Sequence, residues 1–210
     1  HYHFLKSVGK NLFGDENDVI RELLRKYNVR AILTRTKNRL GRRIAENTDF
    51  LDTVLTGIER QRLPDNVGLS AVPIVAAYTL ISWILDSETE CNGFGFPFDQ
   101  SYLVFYQRLQ EAGRRFHQLF RIQLQGDWRE NKVYSKISCD LHDVLNDSSL
   151  HKAAQKMEQK VAMFNRLRTA MRITLPENKR GLNDNGELPS SMKTIQKEVG
   201  RFTAWLLKSK

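Results

Sequence analysis

The seventeen residues Leu69–Leu85 (LSAVPIVAAYTLISWIL) carry no charge, and no other stretch of the chain matches them. A helix that is apolar all round belongs either at the centre of a core or in a bilayer. A span needs about 20 apolar residues. This run is shorter, is diluted by Ser70, Pro73, Tyr78, Thr79 and Ser82, and has no second span to pair with. The buried reading is therefore preferred, and no membrane association is expected. With Ser70 as the helix cap, Pro73 falls in the first turn, where a missing N–H costs nothing.

The residues after the run support a buried hairpin. The loop Asn92-Gly93-Phe94-Gly95-Phe96-Pro97-Phe98-Asp99 carries three phenylalanines, more than a surface connector normally holds. Beyond it, Tyr102, Phe105, Tyr106, Leu109, Phe116, Leu119 and Phe120 recur at helical spacing. Residues 69–125 thus read as a central helical hairpin with its Phe loop folded back onto the core. Asp99 is the expected N-cap of the second helix. Gly93-Phe94-Gly95 lacks the third glycine and the preceding strand of a dinucleotide site, so these glycines read as turn residues.

Helical patterns account for most of the remainder, and strand signals are nearly absent. The expected class is all-α, a multi-helix bundle around the central hairpin. Phe4, Leu5, Val8 and Leu12 mark a first helix ending near Gly14, with Asp15 as the cap of the next. Asn28 reads as a break. Val29–Ala45 forms a basic helix with a thin apolar stripe of Ile32, Leu33, Leu40 and Ile44. Another helix is expected from Asn47 or Thr48 to about Leu63. Asp127-Trp128-Arg129-Glu130 resembles a capping box for a helix running to Leu145. Met157, Val161, Phe164, Leu167 and Met171 then form a narrow seam, with Lys152, Lys156, Lys160, Arg166, Arg168 and Arg172 largely off it. The expected organisation is a helical domain over 1–174, a linker over 175–189 rich in Pro, Gly and Asn, and a final helix over 190–210.

The formal charge is +9, which points to an anionic partner. Its distribution says more. Arg21, Arg25, Lys26, Arg30, Arg35, Lys37, Arg39, Arg42 and Arg43 stand against Glu22 alone between Arg21 and Arg43, a net of +8. The rest of the chain is close to balanced. A solvated helical face normally mixes signs, because like charges one turn apart repel. An unmixed face is explained by phosphates, so Arg35, Lys37, Arg39, Arg42 and Arg43 are the candidate nucleic-acid contacts, and contact with the backbone would be largely sequence-independent.

Catalytic signals are weak. His1-x-His3 supplies two ligands, which do not make a metal site. His117, His142 and His151 read as surface or satisfied histidines, and Asp140 and Asp143 near His142 as a solvated helix face. Cys91 and Cys139 form neither a disulfide framework nor a metal motif, and a reducing compartment is the simpler inference. The chain opens on His1-Tyr2-His3 without an initiator Met or a signal peptide and reads as a piece of something longer.

Three blocks carry a family resemblance. His1-Tyr2-His3-Phe4-Leu5-Lys6-Ser7-Val8-Gly9-Lys10 resembles a segment of a prokaryotic DDE-type transposase family. So do the block from Gly93 to Leu103 (GFGFPFDQSYL) and the one running from Phe164-Asn165-Arg166-Leu167-Arg168 to Gly181-Leu182-Asn183-Asp184-Asn185-Gly186. The blocks stand in the family's order and span most of the chain. The resemblance implies a ribonuclease-H-like core interrupted by a helical insertion. His3 matches the histidine of the family's Cys-x-x-His signature, whose cysteine would fall one residue before His1. The first two catalytic carboxylates would then lie upstream and the third downstream, since Glu187 sits in the expected linker. Family chemistry uses divalent metal, Mg, held by three carboxylates to activate water or a DNA 3′ hydroxyl. This chain lacks that set, holds no assigned catalytic or metal residue, and is not expected to cleave DNA alone.

The resulting expectation is the helical, DNA-contacting portion of such a transposase. It would be cytoplasmic and nucleoid-associated, partnered by DNA and by the remainder of the transposase or by itself. The alternatives are a stand-alone helical adaptor or regulator that binds protein, and a membrane-associated helical protein using Leu69–Leu85.

Overall fold

The computed structural model describes residues 2–46, 68–91, 93–125, 132–171 and 188–208. The chain is an all-α, multi-helix protein. Among the described residues the helices are α1 (Tyr2–Lys26), α2 (Val29–Ala45), α3 (Gly68–Leu85), α4 (Ser101–Gln125), α5 (Val133–Leu145), α6 (Ser148–Ala170) and α7 (Leu188–Lys208), with a 3₁₀ turn over Asp86–Glu90. The helix expected after Asn47 and most of the expected linker lie outside the described residues. Leu188 and Pro189, assigned to that linker, instead open α7.

Two compact units emerge. The first comprises His1–Arg21, Thr89–Leu103 and Ser149–Lys210, and the second comprises Glu22–Glu88 and Val104–Ser148. Helices α1 and α4 each contribute residues to both.

In the first unit, α1 does not stop at Gly14 but kinks beside it. Phe13 takes φ −139° and ψ 19°, outside helical values. Its ring is fully buried and meets Phe96 and Phe164 edge-on at 5.7 and 5.4 Å. The seam of α6 is buried as the periodicity requires: Met157, Val161, Phe164, Leu167 and Met171 all face inward. Burying each such side chain stabilises by about 1.5–3 kcal/mol. Gly9 lets α1 approach the loop, since a Cβ there would lie 2.6 Å from Pro97 Cγ.

The phenylalanine loop is built into this same core. Gly93 and Gly95 have φ of 75° and 71°, values that glycine adopts without steric cost. The Phe96–Pro97 peptide is cis. The Asp99 carboxylate accepts the Gly95 N–H at 2.8 Å, while the N–H groups of Phe98 and Asp99 both donate to the Gly95 carbonyl. The Gln100 amide donates to the carbonyls of Pro97 and Phe98 at 2.7 and 3.0 Å. Helix α4 begins at Ser101, two residues after the expected cap, and one oxygen of that carboxylate braces the loop. Phe98 stacks on Tyr2 at 5.0 Å, and both Phe94 and Phe98 are buried.

In the second unit, α3 packs on α2 and α5, and α2 also touches α5. Ile74, Ala77, Ile81 and Ile84 form the buried face of α3, at helical spacing. Its other described positions are mostly half-buried, and Thr79 and Trp83 are exposed. The helix begins at Gly68, so Ser70 lies inside it and Pro73 falls in the second turn, not the first. No helix among the described residues is long and apolar enough to cross a membrane. Helix α5 begins at Val133 with Lys132 outside it; the expected capping box, Asp127-Trp128-Arg129-Glu130, lies outside the described residues. Its buried residues are Tyr134, Ile137, Leu141 and Val144.

Candidate nucleic-acid interface

Helix α2 is set by a sharp break. Asn28 sits in the left-handed region at φ 50°, ψ 34°, which asparagine tolerates better than most residues. The helix then runs seventeen residues without an acid. Val29, Leu33, Thr36 and Leu40 face the core, while Ile32 and Ile44 are half-buried. At Gly41 a Cβ would lie 3.3 Å from Tyr78 Cε2. The roughly 1 kcal/mol that glycine costs a helix is here the condition for close approach to α3.

This burial divides the five candidate residues. Arg35, Arg39, Arg42 and Arg43 recur at i, i+4, i+7 and i+8, a spacing that places them on one side of a helix, and all four are exposed. Lys37 lies on the opposite flank, half-buried, with its ammonium 5.7 Å from the Tyr78 ring centroid. Arg30 shares that flank and stacks over Phe105 at 4.8 Å. Lys37 is therefore placed apart from the other four, against an aromatic ring.

The ridge itself is lightly held. Arg35 Nε donates to its own helix at the Ala31 carbonyl, 3.2 Å away. Among the described residues, no carboxylate pairs with Arg35, Arg39 or Arg42. Arg42 and Arg43 occupy the last turn, where the helix dipole favours cations. Elsewhere in the basic segment, Arg21 is paired, with Asp18 at 3.1 Å, so it does not belong with the unpaired set. Lys26 lies over the Tyr27 ring at 5.3 Å. The Tyr27 hydroxyl in turn donates to Asp147 at 2.7 Å, a bond that raises the Tyr27 pKa above its ordinary value, with burial and the nearby acidic charges adding to it.

Two arginines prove to be structural. Arg168, read as lying off the seam of α6, is buried. Its guanidinium lies 4.9 Å from the Phe94 ring and 5.4 Å from Phe98 and donates to the Phe98 carbonyl at 3.1 Å. Burial pulls its pKa down, and the charge of Asp99 opposes that shift. Arg108 is also buried; it donates to the Trp83 carbonyl and stacks on the Trp83 ring at 5.0 Å. A sequence signal existed for Arg168: it follows Leu167 directly and lies four residues after Phe164, at the edge of the seam.

His3 is exposed in the first turn of α1, its ring edge-on to Tyr2 at 5.5 Å. His142 Nδ1 is 3.2 Å from the Asn146 amide, and Asp140 and Asp143 are exposed. Neither Cys91 nor Cys139 forms a disulfide among the described residues. No group of three or more His, Cys, Asp or Glu that could hold a metal ion occurs among the described residues. No protein-family model matches the chain, and neither a curated protein nor a solved structure matches it.

Proposed function

We propose that the chain contacts the phosphate backbone of DNA through the α2 ridge, as the helical, DNA-contacting portion of a DDE-type transposase. The observation that carries the DNA contact is the exposed line of Arg35, Arg39, Arg42 and Arg43 on a helix without a single acid. Arg35, Arg39 and Arg42, one turn apart and without a carboxylate partner among the described residues, repel one another by a few tenths of a kcal/mol per pair, and a polyanion removes that repulsion. Lys37 contributes to the field but is held against Tyr78. The transposase half of the proposal rests on the three-block resemblance and carries its metal requirement: Mg would be held by carboxylates outside the residues assigned here.

The test is fluorescence anisotropy with a labelled duplex of arbitrary sequence across a series of KCl concentrations. Arg39→Glu/Arg42→Glu weakens binding and flattens the log–log salt dependence by about 2, at about 0.9 per phosphate no longer neutralised. An unchanged slope removes this face from the proposal. Binding that is absent, or insensitive to salt, returns the chain to the reading of a stand-alone protein-binding adaptor. The transposase half is tested separately, by reading the coding sequence on both sides of this segment for Asp-bearing strands upstream and a Glu-bearing helix downstream.

A further inference from the structure

The near-balance of the chain outside residues 22–43 conceals two opposite halves. In the second unit, residues outside 22–43 carry nine Lys and Arg against thirteen Asp and Glu. The first unit carries sixteen Lys and Arg against ten Asp and Glu, a net of +6. A large part of that excess is ordered on α7. Lys193, Lys197, Arg201 and Lys208 recur at i, i+4, i+8 and i+15 on one face, and all are exposed. The opposite face holds Ile195 and Phe202, both buried. Glu198 is the one acid of the helix, and it is already engaged by Arg166 at 3.4 Å and Arg201 at 2.5 Å. Among the described residues, no carboxylate pairs with Lys193, Lys197 or Lys208.

We infer that this face of α7 is a second phosphate-binding surface, taking nucleic-acid backbone independently of α2. A basic amphipathic helix also suits an anionic bilayer, but that mode needs its apolar face to enter the lipid. Here Ile195 and Phe202 are buried within the protein, and Trp205 is half-covered beside Phe202 at 6.1 Å. Met192, Val199 and Leu207 are also exposed on this helix, so vesicle binding distinguishes the two modes; the ordered row of cations favours electrostatic contact with phosphate. The first three cations are about 6 Å apart and the fourth lies about 10 Å further on, a line about 22 Å long that runs past several phosphates of a strand carrying one charge per about 3.4 Å of axis. The inference rests on the same partner class proposed for α2, but on different residues, so the two are separable.

The experiment uses the full chain and the same labelled duplex, between about 50 and 200 mM KCl. Lys193→Glu/Lys197→Glu, with the milder Lys193→Gln/Lys197→Gln as a control for folding, is compared with Arg39→Glu/Arg42→Glu. The expected result is a log–log salt slope flattened by about 2 in the Glu variant and to a similar degree in the Gln variant, at about 0.9 per contact, with an unchanged circular dichroism spectrum. Slopes unchanged in both Lys variants overturn the inference and leave the α2 reading intact. A change in the Lys variants with none in Arg39→Glu/Arg42→Glu sinks the α2 reading and supports this one. Vesicles containing phosphatidylserine provide the last arm: vesicle binding abolished in the Lys variants, with the duplex slope unaltered, overturns the inference in favour of a lipid surface.

Discussion

Arg168 and Arg39 are the same residue type on two helices, and their surroundings assign them opposite work. Arg168 is buried on α6, packed against Phe94 and Phe98 and bonded to the Phe98 carbonyl. Arg39 stands in solvent on α2, without a carboxylate partner among the described residues. The first cation holds a loop in a core, where a charge is retained only if its donors and its neighbours compensate for the water it gives up. The second contributes almost nothing to its own fold and adds to a field directed outward. A count of arginines treats the two as equal; the rings and carbonyls around them do not.

That contrast sets the largest expected effect. Arg168→Ala removes the guanidinium from beside two rings that touch each other and leaves the Phe98 carbonyl and the Asp99 charge without it. Breaking a buried charged contact typically costs about 3–5 kcal/mol, and a loss of about 3 kcal/mol is expected here in a urea titration. Arg168→Lys restores the charge but not the planar stack, and should recover only part of it. A loss below about 1 kcal/mol, the level of an ordinary surface contact, would place Arg168 with Arg39 and erase the distinction.

Tyr134 extends the comparison to a neutral group. It is fully buried on α5, its ring 6.3 Å from Phe116, and its hydroxyl has no hydrogen-bond partner among the described residues. Burial pushes its pKa up to about 12 from 10.0. The folded state therefore keeps the proton that the unfolded state loses. Stability from this group is fully present below pH 10 and falls as pH rises from 10 towards 12, by up to about 2–3 kcal/mol. Tyr134→Phe should remove that part of the alkaline slope while costing little at pH 7, since it deletes an unbonded hydroxyl. Parallel alkaline slopes in the two proteins would show that the hydroxyl is not shielded as described.

Gly9 gives a smaller effect, and one of mixed sign. Ala is worth about 1 kcal/mol over Gly in a helix interior, yet the new Cβ would meet Pro97 Cγ at 2.6 Å and Cβ at 2.8 Å. The ring belongs to the braced loop and yields little, so overpacking of about 1–3 kcal/mol should win. Gly9→Ala is expected to destabilise by about 1 kcal/mol net. Gly14→Ala, where nothing lies within 4 Å of the added Cβ, is its control and should be neutral or stabilising.

Helix positions were largely readable because they rest on local patterns. The break at Asn28 and the seam of α6 both arise from spacing and turn residues within a few positions. The use of the polar and aromatic side chains was not readable, because it is set by residues far apart in the chain. Asp99 has the type and place of a helix cap, but its spacing does not show that one of its oxygens also holds the Gly95 N–H. Lys37 looks equivalent to Arg35 in sequence; two residues of helix turn it to the other flank, where it meets Tyr78. Arg168 is hidden by the charge of its neighbours until Phe94, seventy-four residues earlier, is placed beside it. The four-member ridge was half visible: its lack of acids is plain, whereas which cations share a side required knowing that Val29, Leu33, Thr36 and Leu40 face inward.

The smallest expected effect is the one that most directly tests the division between the two kinds of arginine. If the α2 ridge serves a partner and not the fold, Arg39→Gln/Arg42→Gln should leave stability within about 0.5 kcal/mol of the parent, the range for surface substitutions away from special contacts. A slight gain is the favoured sign, because Arg35, Arg39, Arg42 and Arg43 repel one another at one-turn spacing. That gain should shrink as salt rises and screens the ridge, with a screening length of about 10 Å at 0.1 M. Thermal melts at low and high KCl measure it. A clear loss of stability, independent of salt, would mean that these side chains are held by the protein itself, and the ridge would then be structural in the same sense as Arg168.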